Sequence, residues 1–202
     1  LAVPEGLSAD PDWPMTFGFD DMDVLAHVID DIYKIGEAQG WPVGAVMHES
    51  GRGQFEINLR HRADPVAAAL DGLLLKRAVK AAAIANGVEA TFMAKPHHDW
   101  TGSGLHVHVS LIDKNGNNVF SDGGPEGSGV MKQAIGGCLH AMFDSTLLFA
   151  PHYNSFERLV PDAHAPNAVC WAYENRTSAI RVPSGNPSAR RSEHRVAGGD
   201  VN

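Results

Sequence analysis

From Leu105 to Leu111 apolar and polar residues alternate without a break. Leu105, Val107, Val109 and Leu111 fall on one side, and His106, His108 and Ser110 on the other. Side chains of an extended chain point to opposite faces in turn, so this period of two predicts a half-buried β-strand over 105–111 and excludes a helix. The polar face of such a strand ordinarily carries Thr, Lys or Glu. Here it carries two imidazoles and a hydroxyl, directly after the Gly-Ser-Gly of residues 102–104.

The flanking sequence supplies the rest of the scaffold. Residues 1–17, rich in Pro, Asp and Gly, read as an entry loop. Asp20–Asp23 place negative charge at the start of a helical pattern running to about Gly40, with Val24, Val28, Ile32 and Ile35 as its apolar stripe. Residues 41–59 read as two strands around a Gly-rich turn. Asp64 and Pro65 open a long helix that stops at Asn86–Gly87. A strand is expected over 88–94, a tight turn over 113–117, a helix over 128–149 and a long loop over 154–166. Short strands with interspersed arginines follow in 168–183 and 191–198. Helices sit between hairpins instead of after every strand. The expected fold is therefore α+β, with a mainly antiparallel sheet and flanking helices.

Composition narrows the function classes. The 202 residues are 44% hydrophobic, enough for one large domain with a core. A formal net charge of −8, with no run of Lys and Arg, argues against nucleic-acid binding. No apolar run approaches the ~18–20 residues of a membrane span, and the N-terminus lacks the basic start and apolar block of a signal peptide. Cys138 and Cys170 lie far apart in apolar surroundings, which suits a reducing cytoplasm. No GxxxxGK[ST] run is present, so a bound nucleotide would not use a P-loop.

Three constellations carry chemistry. With Arg52–Gly53 as a two-residue hairpin loop, Glu49 pairs with Glu56, and two like charges oppose each other on one face. A hard cation turns that cost into a ligand set. A different loop register leaves both glutamates solvated. His106 and His108 read either as a ligand pair or as core-edge histidines, and Gly102 and Gly104 permit close backbone approach by a ligand. Arg158, Arg176, Arg181, Arg190, Arg191 and Arg195 crowd the last quarter of an acidic chain. They read either as salt-bridge partners or as forks for carboxylate and phosphate. Glu193, between Arg191 and Arg195, is their partner or a further metal ligand. Together these are the parts of metal-assisted phosphoryl transfer.

Five ordered motifs resemble the glutamine synthetase family: HESGRGQFE (48–56), KPHHDWTGSGLHVHVS (95–110), NSFERLVP (154–161), NRTSAIRVP (175–183) and RRSEHRVAG (190–198). The resemblance runs from about residue 17 and implies a partial catalytic domain over 17–202, preceded by an entry segment over 1–16. The family's N-terminal β-grasp domain and C-terminal helices are expected to be absent. Carried over residue by residue, the resemblance implies Glu49 and Glu56 as ligands of one Mg²⁺ or Mn²⁺, and His106 and Glu193 as ligands of a second. It implies Gly102, Arg158 and Arg195 as glutamate-holding positions. His108, Ser110, Arg176, Arg181 and Arg191 match positions that engage ATP, with Arg158, His164 and Arg176 as catalytic candidates.

The implied activity is an ATP-dependent glutamate–amine ligase working through a γ-glutamyl phosphate. Two departures bear on the acceptor. His164 stands where the family's ammonia enzymes carry a glutamate, and Thr101 where they carry an asparagine. The chain thus resembles the family's amine ligases, of the γ-glutamylpolyamine synthetase kind. A glutamate–ammonia ligase and a non-catalytic nucleotide- or metabolite-binding member are the alternatives. Partners implied are glutamate, ATP and an amine, with no nucleic acid and no membrane. The parent is expected to be a cytoplasmic homo-oligomeric ring, and the fragment alone to be inactive.

Overall fold

Two units, residues 17–92 and 93–201, divide a computed structural model that describes residues 17–161 and 163–201. The entry segment expected over 1–16 lies outside the described residues.

The first unit contains α1 (Asp20–Val24), α2 (Ala26–Gln39), β1 (Val43–His48), β2 (Phe55–Leu59) and α3 (Pro65–Ala85). The single helix expected from Asp20 is broken at Leu25, whose φ of −104° and ψ of 13° leave the helical range. With that break, Leu25 packs on the core of Val28, Ile32, Leu75 and Ala82, while Asp21 is buried beside His48. Gly40, at φ 70°, ends α2 in the left-handed conformation that glycine adopts without steric cost. Gly36 has a packing reason: a Cβ there would fall 2.5 Å from Val43 Cγ2.

Of the two registers left open for the hairpin, it does not take the one that pairs Glu49 directly with Glu56. His48 pairs with Phe55 and Met47 with Glu56. The Glu49 amide donates to Gln54 O at 2.8 Å, and Gln54 N donates to Gly51 O at 2.9 Å, so residues 50–53 form the turn. Gln54 Oε1 accepts from Gly51 N at 3.0 Å, and Gly53 sits at φ 62°. The Glu49–Gln54 bond sets the four-residue turn, and within it the Gln54 N to Gly51 O bond closes a tight turn around Arg52 and Gly53.

Asp64 caps α3 as its position implies. Its Oδ1 accepts from Val66 N at 2.8 Å and Ala67 N at 3.2 Å, with Pro65 at the first helical position. Asp64→Ala is expected to cost about 1 kcal/mol, read as a lower denaturant midpoint at unchanged slope. Residues 88–94 join no sheet among the described residues. Their alternation is real, yet no neighbouring strand offers them a ladder.

The second unit holds a four-stranded sheet in the order β3-β6-β5-β4: β3 (Val107–Val109), β4 (Trp171–Tyr173), β5 (Ile180–Val182) and β6 (Ser192–His194). β6 runs antiparallel to both β3 and β5, while β4 and β5 are parallel. Helices α4 (Gly129–Met142), α5 (Thr146–Phe149) and α6 (Tyr153–Phe156) complete it. The α+β class with a mainly antiparallel sheet is as expected.

Three boundaries moved. The helix expected over 128–149 splits because the Ser145 and Thr146 hydroxyls donate back to Ala141 O (2.7 Å) and Met142 O (3.0 Å). Such back-bonding competes with the helical ladder. The loop expected from residue 154 opens as α6. The strand expected over 105–111 keeps only three ladder residues, prolonged by Leu105 N to Ala197 O at 2.9 Å. Its apolar row stays 43–46% exposed at Val107, Val109 and Leu111. β3 is an edge strand, and the core of Phe120, Met131, Ile135, Ile180, Val182 and Val196 excludes that row. Cys138 and Cys170 are free and exposed. Among the described residues no helix is long and apolar enough to cross a membrane.

Candidate active site

Glu193 organises the second unit's polar sheet face. It lies in the middle of β6, 2% exposed, opposite His108 on one side and Arg181 on the other. Arg195 Nη1 donates to its Oε1 at 2.5 Å, and Arg181 Nη1 donates to its Oε2 at 3.1 Å. His106 Nδ1 is 3.3 Å from Oε1, and His108 Nε2 is 3.9 Å away. Residues 191, 193 and 195 share a face by strand period, so the arginines and the glutamate of RRSEHR converge for the reason His106 and His108 do. Arg191 Nε donates to His108 Nδ1 at 3.0 Å, which leaves the His108 proton on Nε2, toward Glu193.

The electrostatics follow from burial and from these charges. Burial pushes the His106 imidazole down from 6.5 to about 4, and Arg195 adds to the effect against the opposing pull of Glu193. His106 is therefore neutral at pH 7. For Glu193, burial would raise the carboxyl, but the Arg195 guanidinium, with Arg181, outweighs it and holds it below the usual carboxylate range. The face thus pairs a neutral imidazole with an ionised carboxylate.

Arg158 enters beneath this face. It is 5% exposed; its Nη1 donates to Val196 O at 2.8 Å and its Nη2 to Arg195 O at 3.2 Å. The close approach that Gly102 and Gly104 permit is that of Arg158. A Cβ at Gly102 would stand 2.8 Å from Arg158 Cγ and from Ala94 O, and one at Gly104 would stand 2.5 Å from Arg158 Nη2. Burial, then Arg195, lower the guanidinium to about 10, so it remains charged at neutral pH.

Other expected positions stand apart from the cluster. Arg176 is exposed on the turn between β4 and β5, Ser110 is exposed beyond β3, and His164 is exposed in the loop after Pro161. None of these three side chains makes a hydrogen bond among the described residues.

In the first unit, Glu49 and Glu56 occupy the same hairpin face but are not directly opposite. Glu56 faces Met47, and Glu49 is two residues further along, which is a diagonal pair at about 7–8 Å. Direct like-charge opposition is thereby relieved. Glu49 Oε2 accepts from Ser50 N at 3.2 Å, and Glu56 Oε1 from Asn58 Nδ2 at 3.0 Å. The residue before Glu49, His48, is 2% exposed with its Nε2 3.0 Å from Asp21 Oδ2, and its ring meets Phe55 edge-on at 5.5 Å. Among the described residues no three His, Cys, Asp or Glu side chains gather closely enough to hold a metal ion, and the expected ligands stand in pairs.

Sequence reasoning missed Ser155, Asn154 and Asp200, which tie the Arg158 segment in place. Asn154 and Ser155 open the NSFERLVP run, but nothing local marks their partners, which lie 45 to 59 residues away.

Residues 8–202 match the family described as "Glutamine synthetase, catalytic domain". Gamma-glutamylputrescine synthetase PuuA of Escherichia coli K12 is 39% identical over 186 residues, covering 92% of this chain and 39% of that protein. Gamma-glutamylethanolamide synthetase GlnA4 of Streptomyces coelicolor is 39% identical over 164 residues, covering 81% of this chain and 34% of that protein. A structure titled as a GmaS/ADP complex matches with a TM-score of 0.83 at 31% identity, over 100% of this chain and 48% of that one. The chain thus spans well under half the length of the curated relatives it matches.

Proposed function

We propose, because this chain belongs to the glutamine synthetase family, that it carries part of the catalytic centre of an ATP-dependent glutamate–amine ligase acting through a γ-glutamyl phosphate. The observation that carries this reading is the polar sheet face. One buried carboxylate and two histidines lie among Arg181, Arg191 and Arg195, the donor set that anionic substrates and a divalent ion require.

The donors fit a hard divalent ion. His106 is held neutral, so a nitrogen lone pair is free to ligate, and Glu193 is held ionised. These two would hold one ion and the diagonal Glu49–Glu56 pair another. A bound Mg²⁺ or Mn²⁺ neutralises charge on a transferring phosphoryl group. The chain's own residues would do the rest. Arg181, on β5, and Arg191, just before β6, would take nucleotide phosphates together with His108 and Ser110. Arg158 spends two of its five donors on backbone carbonyls and would present the others to the acid substrate, beside Gly102 and Arg195. Arg176, on its exposed turn, would meet the transferring group, and His164 would line the amine end, where an imidazole can take a proton. The parent enzyme is read as a cytoplasmic homo-oligomeric ring, with residues 17–202 as part of its catalytic domain.

An amine larger than ammonia is the proposed acceptor. His164 and Thr101 support it, as do relatives named for putrescine, ethanolamide and isopropylamine products or substrates. The test is phosphate release by the full-length parent with ATP, Mg²⁺ and glutamate, comparing ammonia with putrescine, ethanolamine and isopropylamine. Turnover with one of the organic amines, at least tenfold above that with ammonia, is expected. Turnover with ammonia alone makes the protein a glutamine synthetase, like the 38%-identical protein of that name from Halobacterium salinarum. No turnover with any amine overturns the ligase reading.

A further inference from the structure

Arg158 reaches its place from a helix that cannot hold itself. α6 has four residues, a single turn, too short to be stable by its own hydrogen bonds. Its side chains are fastened from outside. Asn154 exchanges two bonds with the Lys95 backbone, accepting from Lys95 N at 3.0 Å and donating to Lys95 O at 2.8 Å. Ser155, 1% exposed, accepts from His152 N at 3.0 Å and donates to Asp200 Oδ2 at 2.6 Å.

Asp200 stands on the segment that Arg158 itself grips. The Arg158 guanidinium bonds the carbonyls of Arg195 and Val196, and the chain then turns through Gly198 to Asp200. A Cβ at Gly198 would collide with Asp200 Oδ1, so glycine there lets the carboxylate fold back on its own backbone. The loop closes: Ser155 to Asp200, Asp200 along the chain to Val196, Val196 to Arg158, and Arg158 three residues back to Ser155. The same loop borders the segment that carries Gly102, since Gly199 N donates to Ser103 O at 2.8 Å and Ser103 N to Ala94 O at 2.8 Å.

We propose that Asp200, acting through the Ser155 hydroxyl, is a positioning residue: it sets where the Arg158 guanidinium sits relative to Gly102, and thereby the affinity for the acid substrate. The inference rests on the reading of Arg158 as a substrate-holding residue. The carboxylate's oxygen Oδ2 receives the one short bond from α6, while Oδ1 is buried without a hydrogen-bond partner among the described residues. Asp200 is therefore committed to the strut and has no second hydrogen-bonded anchor. An asparagine can still accept the Ser155 proton; an alanine cannot. Truncation leaves α6 tied at Asn154 alone and frees the guanidinium to shift. A displacement near 1 Å is enough to cost a large factor in substrate use.

The experiment uses the full-length protein and the variants D200A, D200N and S155A. Expected for D200A and S155A is a rise of tenfold or more in KM for glutamate, with KM for ATP within twofold of wild type. D200N should restore KM for glutamate to within threefold. An equal rise in both KM values, or no rescue by D200N, overturns the positioning role. A crystal structure of D200A supplies a readout independent of turnover: the Arg158 guanidinium should leave hydrogen-bond distance of Val196 O. Arg158 unmoved in D200A refutes the proposal even if the enzyme is inactive. Wild-type protein that turns over no glutamate refutes the ligase reading instead, and the crystal structure still decides the strut.

Discussion

Replacing Glu193 by Ala is expected to destabilise the chain by about 3–5 kcal/mol, the cost of removing one partner from a buried charge cluster. Glu193 is 2% exposed, and the two guanidiniums bonded to it are themselves mostly buried. Taken as a whole, such a cluster adds little net stability, because desolvation offsets the attraction. Removing the carboxylate is different. Arg181 and Arg195 would then face each other, Arg158 and two imidazoles with no counter-charge on the central strand. Arg181 would keep its 3.3 Å ion pair with the half-exposed Glu174, but Arg195 Nε and Arg181 Nε already lack a hydrogen-bond partner among the described residues. Glu193→Gln keeps an acceptor and the volume while losing the charge, and should lose about half as much. Denaturant unfolding of the three proteins at pH 7.5 checks this. A loss under 1 kcal/mol for E193A would mean that the arginines swing out to water and that the cluster is not a preorganised site.

The metal-free chain is expected to lose stability as pH falls from about 6.5 to about 4. His106 titrates near 4 in the folded state and near 6.5 when unfolded. Between those values the unfolded chain binds the extra proton, so stability rises with pH and is lost on acidification. The full span corresponds to ~3 kcal/mol, reached near pH 4. Burial lowers His194 as well, which adds in the same direction. Glu193 continues the trend at still lower pH: its depressed carboxyl stabilises the fold above the ordinary carboxylate range, and that contribution disappears as pH drops through its folded value. Thermal midpoints from pH 7.5 to 4.5 test the slope. His106→Ala should flatten it, and a slope unchanged in that variant would sink the assignment to His106. Added Mn²⁺ should raise the midpoint more at pH 7 than at pH 5, because metal and proton compete for the same nitrogen.

The site was legible where chemistry and strand period coincide. His106 and His108 two apart, and Arg191, Glu193 and Arg195 two apart, must share faces once each segment is extended. Pairing the two strands then brings the imidazoles to the carboxylate. The Asp64 cap and Pro65 start of α3 were readable for a similarly local reason. The Glu49–Glu56 relation was not, because the Glu49–Gln54 backbone bond across the turn shifts the register so that Glu56 faces Met47. Nor was the break of the 128–149 helix, where two hydroxyls outcompete the ladder.

By itself, then, the amino-acid sequence determined the α+β class, the faces of its strands and the family to which the chain belongs. These rest on local periodicity and on residue types in order. Only the tertiary structure decided that Arg158 occupies the space left by Gly102 and Gly104, that Ser155 meets Asp200, and that the apolar row of β3 stays largely uncovered. Each of those outcomes depends on segments tens of residues apart meeting through packing and single hydrogen bonds, and no periodicity along the chain encodes such a meeting.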